Sequence, residues 1–150
     1  MTAIKTVPLG RHEQRDNAAD DVIGGAIAHD SEGRPVLIGS RCDVCGVTTF
    51  PKRSVCPSCM SEKVVEEVMP RTGTLYSFTV LRVGPERWLR PAALGYVDLP
   101  NDVRVFSRIV GDLDAIRISQ PVELDVAVVG READGSPLSS FVFKPLEQSR

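Results

Sequence analysis

Apolar and polar residues alternate through the second half of the chain, and from Thr72 onward the pattern is one of β-strands. Thr74-Leu75-Tyr76-Ser77-Phe78-Thr79-Val80-Leu81 is rich in β-branched and aromatic residues. A regular two-residue period puts Tyr76, Phe78 and Val80 on one predicted face, with Leu75 and Leu81 on the other. Ala93 to Leu99 and Val103 to Val110 read as the next two strands, separated by the turn signal Pro100-Asn101-Asp102. Gly111 to Ser119 reads as a short non-strand segment. Val122, Leu124, Val126 and Val128 then alternate with Glu123, Asp125, Ala127 and Val129. Phe141-Val142-Phe143 forms a last run after the turn Asp134-Gly135-Ser136-Pro137. Five short strands punctuated by turns, with one non-strand insert, predict a small closed β-barrel, and at this size an OB-fold fits best.

The first half is organised differently. Residues 1 to about 20 show little periodicity and many polar groups, which predicts a flexible or partner-docked arm. Val22 to Ala28 and Pro35 to Ser40 read as two short extended runs around the turn His29-Asp30-Ser31-Glu32-Gly33. Next come the only four cysteines, spaced Cys42-x2-Cys45, ten residues, then Cys56-x2-Cys59. Each pair can aim two thiolates at one ion, and two pairs fill all four positions of a closed structural Zn²⁺ site. A closed site leaves no position for water or substrate, so its metal, one per chain, is expected to hold the fold. Gly46 follows the first pair, where freedom to take positive φ helps wrap amides around sulfur. Met60 stands at the matching place after the second pair, which predicts a distorted second knuckle. The expected organisation is an arm and short extended segment over 1–40, a zinc ribbon over 41–62 and the barrel over 71–146, a mainly β protein.

Iron binding and disulfides are the other uses open to the thiols. Softness and geometry leave iron open, as in a rubredoxin, although the short spacing favours zinc. Two disulfides would fit a secreted chain, but the first twenty residues are polar and carry no apolar signal segment. No stretch approaches the roughly 18 consecutive apolar residues of a membrane span. A cytoplasmic location is expected.

The 150 residues carry a net charge of only −2, which argues against a protein whose main task is to neutralise nucleic-acid phosphates. Ten Lys or Arg against seven Asp or Glu lie between Arg41 and Arg108, against four and seven over 109–150. A locally basic centre can meet a few phosphates of a small ligand. The segment Arg82-Val83-Gly84-Pro85-Glu86-Arg87-Trp88-Leu89-Arg90 falls between the first two barrel strands, in the loop that borders the usual OB-fold binding face. Its arginines can fork onto phosphates, and Trp88, the only tryptophan, can stack on adenine or anchor a protein interface. Arg82, Arg87, Trp88 and Arg90 are therefore candidate CoA or partner contacts, with Lys52 and Arg53 of the zinc loop beside them.

Catalytic candidates are few. His12 and His29 both fall in the least structured region, and a mobile arm cannot hold a base in line with a nucleophile. Ser77, Ser107 and Ser139 lack any nucleophile-elbow motif. With all four cysteines on metal, no thiolate remains to accept an acyl group.

Arg41-Cys42-x-x-Cys45-Gly46, Phe50-Pro51, Cys56-Pro57-x-Cys59, Gly73-Thr74-Leu75-Tyr76-Ser77-Phe78-Thr79-Val80, Pro121-Val122-Glu123 and Phe143-Lys144-Pro145 together resemble the acyl-CoA-associated OB-fold proteins that carry a rubredoxin-like zinc ribbon. The resemblance spans about residues 36–146. It implies a noncatalytic zinc-containing accessory subunit of a thiolase-superfamily acyl-CoA enzyme, similar to the small subunit of a benzoylsuccinyl-CoA thiolase. Such a subunit docks on a thiolase-like catalytic partner in a hetero-oligomer and shapes CoA or acyl-CoA binding. A single-stranded nucleic-acid binder is the rival, since OB-folds serve that role too; the near-neutral charge and core-like aromatics argue against it. A small iron electron carrier is a third reading.

Overall fold

The computed structural model describes residues 26–147. Among these, every regular element is a β-strand, and no helix is long and apolar enough to cross a membrane. β1 (Ile27–His29) and β2 (Pro35–Cys42) form an antiparallel hairpin. Its turn is closed by the Asp30 carboxylate, whose Oδ1 accepts from the amides of Glu32 and Arg34, both at 2.9 Å. His29 therefore belongs to an ordered strand, contrary to expectation; it is exposed, and no side-chain hydrogen bond reaches it among the described residues. His12 and the arm over 1–20 lie outside the described residues.

β2 continues into the cysteine module and pairs with β3 (Thr48–Thr49) and β4 (Val64–Val68). β5 (Thr72–Leu81), β6 (Ala92–Asp98), β7 (Arg104–Ile109), β8 (Pro121–Arg131) and β9 (Pro137–Pro145) then close a barrel in the order β5-β6-β7-β9-β8. The expected Pro100–Asp102 turn joins β6 to β7. Leu99 N donates to Val103 O across it, and Asp102 takes a φ of 61°. Closure is antiparallel between β8 and β5, and parallel between β7 and β9 over only Arg108↔Val142 and Ile109↔Phe143.

One core runs through both modules. Leu37 of β2 and Met69 after β4 are as buried as the barrel residues Leu75, Val97, Val105, Ile109, Val122, Leu124 and Phe143. Phe50 of the zinc loop meets Phe141 of β9 edge to face at 5.8 Å. Arg71, at the junction, donates to Pro35 O of β2 at 2.7 Å and to Glu123 Oε1 and Leu124 O of β8 at 3.1 Å. The ribbon is thus fixed to the barrel by apolar contact and by a half-buried charged clamp, and each module helps define the other.

Strict alternation fails in β5. Leu75 and Ser77 pair with consecutive residues of β6, Val97 and Tyr96, so Tyr76 is an inserted bulge residue. The bulge turns both Leu75 and Phe78 towards the core and leaves Tyr76 outside. The expected common face for Tyr76 and Phe78 is therefore wrong. A second bulge between Val128 and Gly130 in β8 buries Val129 and exposes Val128. The aromatics are also less core-like than expected, since Tyr76, Tyr96 and Phe106 are all exposed.

Candidate metal centre and ligand groove

The four cysteines converge. Their sulfurs lie within 4.8 Å of one another, with Cys42–Cys59 at 3.6 Å and Cys45–Cys56 at 3.5 Å. A tetrahedral ion with metal–sulfur bonds of about 2.3 Å has sulfur–sulfur edges of about 3.8 Å, so the donor set fits one Zn²⁺. Two equivalent turns build it. Gly46 N donates to Cys42 O and Met60 N to Cys56 O, each at 3.0 Å, while Val44 N and Ser58 N reach the Cys42 and Cys56 sulfurs at 3.4 Å. Met60 takes a φ of 62°, close to the 77° of Gly46. The second knuckle is therefore not distorted: methionine adopts the left-handed conformation itself, at a cost of about 1–2 kcal/mol.

The electrostatics favour a dication. Amides of Cys45 and Val44 pull the Cys42 thiol down to about 6, and those of Cys59 and Ser58 lower Cys56. At Cys59 the Ser61 amide favours thiolate, but burial and the neighbouring sulfurs outweigh it and push the thiol up to about 12. Four thiolates this close repel one another unless a cation sits among them.

The loop 82–91 folds back over the barrel. Leu89 N donates to Val129 O at 2.9 Å, Arg131 N to Arg87 O at 2.7 Å, and Trp88 bridges Gly130. Half-buried Trp88 packs on Val129, Leu138 and Val142, a second apolar cluster on the outside of the barrel. Gly130 is the seat for this contact. A Cβ there would overlap the Arg87 carbonyl oxygen and lie 3.1 Å from Trp88 Cε3. Gly130→Val is expected to lift the loop off the barrel, seen as a red shift of the single tryptophan's fluorescence with the zinc content unchanged.

Between this loop and strands β6, β7 and β9 lies a cavity of about 440 Å³. Its walls are mostly apolar, including Val83, Trp88, Leu89, Leu94, Phe106 and Phe141, with two cations, Arg90 and Arg108. Arg90 Nη1 donates to Gly84 O at 2.7 Å and Arg108 Nη1 to Leu89 O at 3.0 Å, so both guanidinium groups are held by neutral carbonyls. Burial pulls the Arg108 guanidinium below its usual value.

Of the six residues expected to contact ligand or partner, only Trp88 and Arg90 line this cavity. Arg87 lies on the ring of Trp88, 4.9 Å from its centroid, and pairs with Glu132 at 3.1 Å. Arg82 is exposed at the start of the loop and does not line the cavity. Lys52 and Arg53 instead line a second cavity of about 350 Å³ with Ser40 and Glu66, where Glu66 pairs with Lys52 at 2.6 Å. Arg108 was missed because an arginine at an outward strand position reads as solvated surface until a distant loop closes over it.

Ribbon and barrel together define a zinc-ribbon OB-fold protein. Family models for the ChsH2 rubredoxin-like zinc ribbon domain and the ChsH2 C-terminal OB-fold domain match residues 30–65 and 66–127. The chain belongs to this ChsH2-type family. It is 39% identical over 117 residues to benzoylsuccinyl-CoA thiolase subunit BbsA of Thauera aromatica, covering 77% of this chain and 81% of that one. It is 33% identical over 114 residues to a DUF35 domain-containing scaffold protein of Methanothermobacter thermautotrophicus, covering 73% and 86%. Among solved structures it is similar to the Ltp2-ChsH2(DUF35) aldolase, with a TM-score of 0.60 and 28% identity over 73% of this chain and 84% of that one.

Proposed function

We propose that this chain is a noncatalytic, zinc-stabilised accessory subunit of a thiolase-superfamily acyl-CoA enzyme. The observation that carries this reading is the match across ribbon and barrel to a benzoylsuccinyl-CoA thiolase subunit, joined to the convergence of all four thiols on one closed cluster. Thiolytic cleavage needs a thiolate to accept the acyl group and a base to generate the attacking species. Here every cysteine is committed to the cluster, and exposed His29 has no nucleophile hydrogen-bonded to it among the described residues. Catalysis belongs to a partner.

Cys42, Cys45, Cys56 and Cys59 hold one Zn²⁺, whose role is to tie the knuckles to β2 and so to the shared core. The groove under loop 82–91 receives part of an acyl-CoA where the two subunits meet. Its apolar walls suit an acyl or pantetheine chain, and Arg90 and Arg108, bound only to carbonyls, suit a phosphate. The complex works in the cytoplasm. The test is co-expression with a candidate thiolase-type catalytic subunit from the same organism. Co-elution as one hetero-oligomer is expected, and the purified chain alone should give no CoA-dependent carbon–carbon cleavage. Separate elution of the two proteins would remove the reading.

A further inference from the structure

The geometry points to the outer face of β5, β6 and β7 as the surface that docks on the catalytic subunit, with Tyr76, Tyr96 and Phe106 as its anchors. This deepens the accessory-subunit reading and rests on it. The three side chains are 52%, 45% and 55% exposed, too much for residues of their size on a face that stays in water. They form a continuous row, because Tyr96 and Phe106 are direct cross-strand partners and Tyr76 is the bulge residue beside Ser77, the partner of Tyr96 on its other side. Aromatics and arginine are the residue types that dominate binding energy at protein interfaces.

The row is also held in place before any partner arrives. Tyr96 and Phe106 rest against each other at 5.2 Å between ring centroids, tilted by 55°. Arg104 lies over Tyr76 at 3.5 Å from the ring centroid and forks onto Asp98, Nε to Oδ1 at 2.6 Å and Nη2 to Oδ2 at 3.0 Å. Side chains fixed in this way lose little rotamer freedom on binding, which removes one of the main costs of association.

The charge balance selects the occupant. Asp98 and Arg104 neutralise each other, and Arg108, the next outward residue of β7 after Phe106, is turned to the Leu89 carbonyl in the groove, so the aromatic row itself is apolar and fits a partner surface that is equally apolar. A nucleic-acid strand would need cations along the face and open rings on which to stack. Here Arg104 is already bound to a carboxylate and Arg108 is held on the Leu89 carbonyl, one ring is covered by Arg104 and the other two lean on each other. Continuity gives the same answer. Phe106 belongs both to this row and to the wall of the groove, so a subunit that takes acyl-CoA from the groove mouth must sit against this face.

The test is the affinity of the chain for its co-expressed thiolase-type subunit, measured with Tyr96→Ser/Phe106→Ser and, as a control outside both the face and the groove, Arg34→Met in the β1–β2 turn. The paired change is expected to raise the Kd by about 30-fold or more. Zinc content should be unchanged and the melting temperature should fall only modestly, because both rings are about half exposed, and the affinity should vary little with salt. Arg34→Met should assemble normally. Wild-type affinity in the double variant would overturn the docking face while leaving the accessory role intact. No binding by the wild-type chain would overturn that role itself. Salt-sensitive capture of a single-stranded oligothymidine that the double variant loses would assign the face to nucleic acid instead.

Discussion

Replacing Cys45 with serine, or stripping the metal with a chelator, is expected to unfold the ribbon and to lower the melting temperature of the whole described region. A structural zinc site contributes on the order of 10 kcal/mol to folding, comparable to the entire stability of an ordinary domain, about 5–15 kcal/mol. The loss does not stop at the knuckles. Cys42 ends β2, the strand that sends Leu37 into the barrel core, and Phe50 between the knuckles packs on Phe141. A ribbon without metal therefore withdraws apolar surface from the barrel as well. Elemental analysis should find one zinc per wild-type chain and none in the variant, and thermal denaturation should show the drop. Equal melting curves with and without chelator would contradict a structural metal.

The second large effect is expected in the groove. Arg90→Ala together with Arg108→Ala should raise the KM of the complex for its CoA substrate by about ten- to a hundredfold with kcat little changed. A hydrogen bond to a charged group is worth about 1.5–3 kcal/mol, and an interaction kept from ground state to transition state appears in KM alone. Lysine at both positions should recover part of the loss, since it keeps the charge but not the fork. Arg87→Ala should do far less, because that side chain pairs with Glu132 outside the cavity. Steady-state kinetics of the reconstituted complex separate these cases.

The parts of this molecule that depend on local rules were legible in its sequence. The C-x-x-C pairs foretold the convergence of the four thiols, because a knuckle is a short-range motif with fixed donor geometry. The β6–β7 hairpin and the turn before β9 followed from turn residues between apolar runs. What was hidden depends on residues distant in sequence. Val64–Val68 contains two glutamates and does not read as a strand, yet it pairs with β2. Its Glu67 meets Arg41 at 2.8 Å. The bulge at Tyr76 breaks the two-residue period on which the face assignment depended, and it moves an aromatic from core to surface. Met60 offered no hint that it would accept positive φ. The groove needed loop 82–91 to lie on β8, and the one sign of that in the sequence is Gly130, whose missing side chain makes room for the loop.

The central claim is that this chain works only by joining a catalytic partner, and a titration of activity tests it most directly. Increasing amounts of zinc-loaded chain are added to a fixed amount of the thiolase-type subunit while CoA-dependent cleavage is followed. No turnover is expected from the chain alone, with a rise that saturates at a fixed subunit ratio and no rise with chelated chain. Full activity of the catalytic subunit without this chain, or turnover by the chain free of any partner, would contradict it.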